Sequence, residues 1–198
     1  WWRVRGREGA SNCFHVMSRI TDSLPFFEDE GKEALVIMLF KMARFCKVRI
    51  ITYCVMGNHF HALIEVPDGE SVRRRFREVS DDGEELGWER LFKHLSCLYS
   101  KKYIAALRHQ VEALRGVGRH EEVHEIREAF LKRIGDLSWF MRDVKERFSK
   151  WYNKFHGRRG SLWEGRFKSV LVQGRESDDS PDSGYSEAMR TMAAYIDL

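Results

Sequence analysis

The sequence predicts an α+β fold, and three observations support that prediction. Short runs of alternating apolar and polar residues predict strands. Apolar residues at helical spacing predict helices between and after those strands. Clusters of Gly, Pro, Asn and Asp separate the two kinds of segment. The segments follow one another as strand, helix, strand, strand, helix, strand, which favours one antiparallel sheet with helices on one face and an open face opposite.

The first half of the chain contains four of these elements. Residues 12–20 alternate as a strand, in which His15 and Phe14 face opposite ways. A helix opens at Asp29 or Glu30, and its apolar stripe comprises Leu35, Met38, Met42 and Phe45. Two strands follow at 48–56 and 59–66. Gly57 and Asn58 between them suit a two-residue hairpin turn, because both tolerate a positive φ.

The second half is mostly helical. Residues 71 to about 156 are highly charged, and 71–133 read as an inserted helical pair with its tip at 116–118. A further helix ends near 156–160, and a short strand ends in the apolar run 170–172. Residues 176–184 are predicted to form a loop, and residues 185–198 are predicted to form a helix. The last helix has apolar positions at Met189, Met192, Ala193 and Ile196. This order predicts a single domain over 1–198, a ferredoxin-like or RRM-like βαββαβ sandwich with a helical insertion at about 71–133.

Composition excludes several classes of protein. The chain has 198 residues, 43% hydrophobic and 32% charged, with three prolines, which is typical of a soluble globular domain. No apolar run predicts a membrane span, and no signal peptide is evident, so a cytoplasmic protein is expected. The first residue is not Met, which suggests a fragment. Four cysteines without metal-binding spacing favour a reducing compartment.

Positive charge is concentrated near the C-terminal end. Residues 145–175 contain nine Lys and Arg against two acids, and Trp and Phe side chains are interleaved with them. Cations that contact phosphates and rings that stack on bases are what single-stranded nucleic acid requires. The alternative is a solvated helix face followed by a loop.

Two histidine patterns suggest metal binding. His59 and His61 lie two residues apart in a predicted strand, so both imidazoles project from one face and form a bidentate pair. The alternative is that they are ordinary polar residues on an exposed strand face. His120 and His124 match the HExxH pattern of zinc proteases, but their helix is charged almost all round. A solvated charged helix is the preferred interpretation there, with a zinc protease or another metal use left as alternatives.

Four segments in the same order resemble one family. The run 53–64, Tyr-Cys-Val-Met-Gly-Asn-His-Phe-His-Ala-Leu-Ile, resembles the signature Y-C-L-M-P-N-H-x-H-L-L of HUH single-tyrosine transposases, particularly those associated with repetitive extragenic palindromes. Residues 14–19, the block from 152 to 169 and the end at 195–198 are similar to the family's first strand, its basic aromatic block and its catalytic helix. Gly57 stands where the family usually has Pro.

The resemblance implies a chemistry. His59 and His61 would hold Mg²⁺ or Mn²⁺ beside the scissile phosphate. Tyr195 would be the nucleophile that nicks single-stranded DNA through a 5′-phosphotyrosine intermediate, so that strand transfer needs no ATP. A structural tyrosine at position 195 remains the alternative, and Tyr185 is the reserve nucleophile.

The resemblance also implies partners. Single-stranded or hairpin DNA is the expected partner of a monomer or homodimer in the bacterial, nucleoid-associated cytoplasm. The expected DNA contacts are His15, Arg19, Lys154, Arg158, Arg159, Trp163, Arg166 and Lys168. The alternative for Trp163 is that its side chain packs in the hydrophobic core. The competing function is a catalytically impaired protein that only recognises hairpin or palindromic repeats.

One departure concerns the metal site. In the family a polar side chain one helical turn after the tyrosine completes it, and here that position would be 199, after the last residue. A fragment or a weakened metal site is therefore expected. Glu65, on the same strand face as the two histidines, is the weak candidate to compensate.

Overall fold

The computed structural model describes residues 9–21, 27–78, 86–172 and 187–197. These ranges contain four strands and seven helices. In chain order they are β1 (Asn12–Arg19), α1 (Asp29–Cys46), β2 (Arg49–Val55), β3 (His59–Val66), α2 (Gly69–Arg74), α3 (Leu86–Leu95), α4 (Lys101–Gly116), α5 (His120–Leu131), α6 (Leu137–Phe155), β4 (Lys168–Val172) and α7 (Glu187–Asp197). The α+β class and the predicted succession of strands are confirmed, since the sheet elements appear in the expected order.

The four strands form one antiparallel sheet in the order β2-β3-β1-β4. In β1 and β3 alternate residues point to opposite faces, as the strand period of two requires. Val16 on β1 and Phe60 on β3 are completely buried on one face, where they join Leu35 of α1 and Phe148 of α6. The main core therefore lies between the sheet and the helices α1 and α6.

Helix α7 covers part of the other face of the sheet. Met189 and Ile196, two turns apart on α7, are buried against Cys13 on β1, Leu63 on β3 and Val172 on β4. Met192 and Ala193 pack beside them, so the helix uses the apolar stripe that its sequence predicts. The expectation of an open second face is thus wrong in part, because α7 closes the region next to the two histidines.

Several predicted details change. The described part of the insertion contains four helices, α2 to α5, where a pair was expected. The first helix of that pair, predicted from the apolar residues Leu91, Leu95, Leu98 and Tyr99, corresponds to α3 and the turn after it, the second corresponds to α5, and the predicted tip at 116–118 follows α4. The β2–β3 connection is short, and the Met56 amide donates to the His59 carbonyl across it at 2.8 Å. Among the described non-glycine residues only Lys47 has a positive φ, so Asn58 does not use the conformation on which the turn prediction relied. The predicted loop 176–184 and Tyr185 lie outside the described residues. No described helix combines the length and apolar content of a bilayer-spanning segment.

The insertion and the loop before α6 are attached to the end of α1. The amide of Gly135 donates to the carbonyl of Cys46 at 2.8 Å, and His94 Nε2 bonds the carbonyl of Phe45 at 2.7 Å. A largely buried ion pair between Arg133 and Asp143, at 2.6 Å, ties the same loop to α6. These bonds satisfy carbonyls at the C-terminal end of α1 that have no partner within the helix.

The close approach at Gly135 provides a stability test. A Cβ there would lie 2.5 Å from the Cα of Gly69, and Gly135 has φ +67°, whereas Gly118 has φ +74° with nothing within 4 Å. Gly118→Ala should cost about 1 kcal/mol of unfolding free energy for its left-handed backbone alone. Gly135→Ala should cost about 2 kcal/mol more, because backbone must move. Urea unfolding of both variants measures the difference, and equal losses would show that the contact is relaxed at no cost.

His94 makes the stability of the protein depend on pH. Burial lowers the pKa of His94 below its ordinary value, so the unfolded chain takes up this proton at a higher pH than the folded chain does. Its contribution to unfolding free energy is complete above about pH 6.5 and is lost as the pH falls further. His94→Gln, which keeps a donor for the Phe45 carbonyl, should flatten the slope between pH 7 and 5. The exposed His109 on α4 supplies the control, since His109→Gln should reproduce the wild-type slope.

Candidate active site

The two histidines of the paired motif lie on β3, on the face of the sheet that α7 packs against. His59 is opposite Arg19 of β1, and His61 is opposite Met17 of β1 and Cys54 of β2. Their rings are 5.1 Å apart between centroids, with planes at 77°. The alternation predicted from the sequence therefore places both imidazoles together.

A third histidine joins the pair from the neighbouring strand. His15 on β1 is diagonal to His61, because Met17 is the residue directly opposite His61. His15 Nε2 and His61 Nδ1 are hydrogen-bonded at 2.8 Å, and the two rings stack with centroids 5.0 Å apart and planes at 7°. His15 was predicted as a DNA contact, and the structure gives it a specific partner in the candidate metal site.

Asn58 holds the other histidine. His59 Nδ1 and Asn58 Oδ1 lie 2.7 Å apart, so the imidazole N–H donates to the amide oxygen. From the sequence Asn58 was a turn residue only. Its position directly before the first histidine was the signal that could have suggested a supporting role.

Tyr195 of α7 reaches the same cluster. Its ring centroid lies 6.3 Å from that of His61 and 6.4 Å from that of His15, edge-on in both cases. The neighbouring Ile196 is buried against the sheet, while Tyr195 is 63% exposed. The apolar face of α7 thus positions the helix, and the phenol stands at its edge, open to solvent.

The three imidazoles have low pKa values. Burial lowers the pKa of His15, and burial together with the charge of Arg19 lowers that of His59. Burial first, and then the neighbouring His15 and His59, lower the pKa of His61 to about 4. At pH 7 the rings are neutral, which is the state in which a ring nitrogen can bind a metal.

Two ring nitrogens, one on each histidine of the pair, are available to bind a divalent cation. His59 and His61 each engage Nδ1, and neither Nε2 has a hydrogen-bond partner among the described residues. A ligating histidine commonly uses one nitrogen for the metal and donates the other N–H to a supporting group. Within the described ranges, no three His, Cys, Asp or Glu side chains come together as a metal-holding group. Glu65, the candidate to compensate, accepts a hydrogen bond from Arg49 Nε at 2.6 Å.

The Lys and Arg residues among the predicted DNA contacts divide into two groups. Arg19, Arg166 and Lys168 line one cavity beside β1. Lys154 and Arg159 are exposed at the end of α6 and just after it, and the guanidinium of Arg158 lies over the ring of Tyr152 at 5.9 Å.

Trp163 belongs to the core. Its ring packs against Phe27, Phe60 and Phe148, and its Nε1 donates to the carbonyl of Lys145 at 3.0 Å. Because the ring is buried, the structure assigns Trp163 to packing and corrects the expectation that it contacts DNA.

The HExxH pattern forms no site. His120 and Glu121 lie exposed in the first turn of α5, and His124 is exposed one turn later. The nearest acid to His124 is Glu128, with 3.9 Å between Nε2 and Oε1. The interpretation as a solvated charged helix is consistent with these positions.

Comparison with known proteins shows a likeness in fold and none in sequence families. No protein-family model and no curated protein matches this sequence. A solved structure described as the REP-associated tyrosine transposase bound to a REP hairpin matches with a TM-score of 0.50 and 11% identity, over 99% of this chain and 70% of that one. This chain therefore shares its fold with a REP-associated tyrosine transposase.

Proposed function

We propose that this protein binds hairpin DNA and nicks and rejoins single-stranded DNA, with Tyr195 as the nucleophile. The observation that carries the proposal is the approach of the Tyr195 ring to His15 and His61, at 6.4 and 6.3 Å between centroids. A phenol at the edge of a neutral histidine cluster combines a nucleophile with groups that suit a phosphate-bound cation. The solved structure of the same fold is described as a tyrosine transposase bound to a hairpin, which supports the partner.

The fold supports the same assignment. The strand order β2-β3-β1-β4, with α1 and α6 on one face, is the order expected for a ferredoxin-like sandwich. In this arrangement β1 and β3 are the two central strands, and they carry all three histidines. The single-stranded DNA would lie over the part of the second face that α7 leaves uncovered.

The reaction proceeds by exchange of phosphoester bonds. Tyr195 Oη attacks phosphorus, the Oη–P bond forms and the P–O3′ bond breaks, while the phenol proton leaves to solvent and the 3′ oxygen gains a proton. A bound Mg²⁺ or Mn²⁺ would neutralise charge on the phosphate oxygens. Attack by a 3′-OH on the phosphotyrosine reverses the bond changes and rejoins a strand. No ATP is consumed, because the covalent intermediate retains the phosphoester bond.

Asn58 and His15 position the two metal-binding rings. If His59 Nδ1–H donates to Asn58 Oδ1 and His61 Nδ1–H donates to His15 Nε2, both Nε2 lone pairs are free to bind the cation. His15 is thus a positioning residue in this proposal, in addition to its predicted nearness to DNA.

Tyr195→Phe tests the nucleophile. A hairpin oligonucleotide with single-stranded flanks, labelled at its 3′ end, is incubated with protein and Mn²⁺, since the strand that stays attached carries the 5′ phosphate. Wild type should yield a denaturation-resistant adduct, and Tyr195→Phe should yield none while binding the hairpin within about twofold of wild type, because the two side chains differ only in the hydroxyl.

Tyr53→Phe is the matched control. Tyr53 lies on β2 and packs edge-on against Phe40 of α1, on the other side of the sheet from Tyr195. Its variant should form the adduct as wild type does. An adduct that persists in Tyr195→Phe would refute the assignment of the nucleophile.

His15→Ala tests the positioning role. Loss of the group that orients His61 should weaken Mn²⁺ binding about tenfold, whereas His15→Gln, which retains a hydrogen-bond acceptor, should weaken it less. Calorimetry measures the affinity, and long-range ¹H–¹⁵N correlation spectra report the tautomer of His61 independently of activity. The exposed His120→Ala is the control and should bind Mn²⁺ normally. Unchanged affinity and tautomer in His15→Ala would contradict the role.

A DNA-binding protein without chemistry is the second candidate function. The Arg49–Glu65 ion pair favours it, since it engages the acidic side chain that was the candidate substitute ligand. The adduct experiment separates the two, because this candidate expects wild-type protein to bind the hairpin without becoming covalently attached at any Mn²⁺ concentration.

A further inference from the structure

Helix α1 has a second side that faces solvent. One side of α1 packs against the sheet and α6, and the opposite side carries a line of exposed side chains. These side chains, the solvent stripe of α1, are Glu30, Glu33, Ile37, Lys41 and Arg44. Because residues three or four apart lie on one side of a helix, the five form one line about 21 Å long at 1.5 Å rise per residue.

The centre of the solvent stripe is apolar. Ile37 is 58% exposed, and Phe40, beside the stripe, is 48% exposed. The Phe40 ring packs edge-on against Tyr53 of β2, with 5.5 Å between ring centroids, and Tyr53 is itself exposed. Single exposed apolar residues are common on protein surfaces, but a group of them with a charged rim is typical of an interaction surface.

Charge divides the solvent stripe into two halves. Glu30 and Glu33 precede Ile37, and Lys41 and Arg44 follow it. None of these four side chains forms an ion pair with a residue that the structure describes. The helix dipole favours acids near the N-terminus and cations near the C-terminus of α1, but it does not explain why exposed apolar side chains lie between them.

The order acidic, apolar, basic makes the solvent stripe complementary to itself. Glu30 and Arg44 lie seven residues to either side of Ile37, and Glu33 and Lys41 lie four residues to either side. If a second α1 lies antiparallel across the stripe, with a two-fold axis at Ile37, the acidic half of each copy lies opposite the basic half of the other. The apolar centres then cover each other, as in the seam of an antiparallel coiled coil.

A second copy fits this face better than a nucleic acid or a membrane does. The phosphates of DNA and of acidic membrane surfaces are repelled by Glu30 and Glu33. A second copy supplies a matching charge for both halves of the stripe. We propose that the solvent stripe of α1 binds the same stripe of a second copy, so that the protein forms an antiparallel, two-fold symmetric dimer.

This dimer leaves both candidate active sites open. Helix α1 lies on one face of the sheet, whereas α7 and the histidine cluster lie on the other. The two clusters therefore point away from the contact, and each can receive its own DNA strand. Self-association at this face requires neither DNA nor Tyr195.

Sedimentation velocity of the full chain tests self-association. A single helix face is at the small end of the range of interface sizes, so we expect a reversible dimer whose population rises between about 5 and 500 µM protein. Ile37→Glu removes the apolar centre and places two carboxylates at the two-fold axis, so it should weaken the dimer about hundredfold. Val117→Glu, at a 69% exposed apolar residue after α4, is the matched control and should dimerise as wild type does.

Charge exchange tests the complementarity of the two halves. The variant Glu30→Lys/Glu33→Lys and the variant Lys41→Glu/Arg44→Glu each place like charges opposite each other. Each alone should therefore dimerise about hundredfold more weakly than wild type. An equimolar mixture of the two should recover association, because each copy supplies the charge that the other lacks. Because all the changed side chains are exposed, far-UV circular dichroism should show the wild-type helix content in every variant.

Three results would overturn the proposal. They are a wild type that sediments as one chain at every concentration, an Ile37→Glu variant that dimerises as wild type does, and a mixture of the charge variants that fails to associate. A wild type that stays a single chain but loses hairpin binding in Ile37→Glu would assign this face to DNA instead. The proposed function is tested separately, since Ile37→Glu should form the Tyr195 adduct as wild type does.

Discussion

The antiparallel pairing of β1 with β3 is the constraint on which the rest of the site depends. Because Met17 is opposite His61, His15 falls on the diagonal and reaches His61 Nδ1 at 2.8 Å. The same register sets Arg19 opposite His59, next to the cavity at the edge of the sheet. A shift of one residue would turn the side chains of β1 to the other face, separate the histidines and expose the residues that now form the core.

Helix α7 depends on the same register. Its buried Met189 and Ile196 contact Cys13, Leu63 and Val172, which come from three different strands and lie together only in this pairing. Burial of that apolar stripe holds the helix on the sheet, and Tyr195, next to Ile196, is carried to the histidines without being buried itself. Hydrophobic packing thus positions the polar group, which remains accessible to a substrate.

Prediction from the sequence succeeded where the signal is local. The strand 59–66 and the apolar stripe of the last helix agree with the structure, because side-chain period alone decides them. It failed where distant residues decide. Trp163 lies in a basic stretch that suggested DNA stacking, but Phe27, Phe60 and Phe148 enclose its ring. Asn58 was assigned to the turn alone, and its bond to His59 depends on side-chain orientation that no spacing reveals.

The sequence by itself determined the α+β class, the common face of His59 and His61 and the residue types available for phosphate chemistry, since each follows from period and composition. Only the tertiary structure decided that His15 is a partner of His61, 46 residues away along the chain, and that Tyr195 stands against both. It also decided that Arg19, Arg166 and Lys168 line one cavity. The physical reason is that strand register and helix packing, which bring distant segments together, are set by burial of the whole core and not by any local pattern.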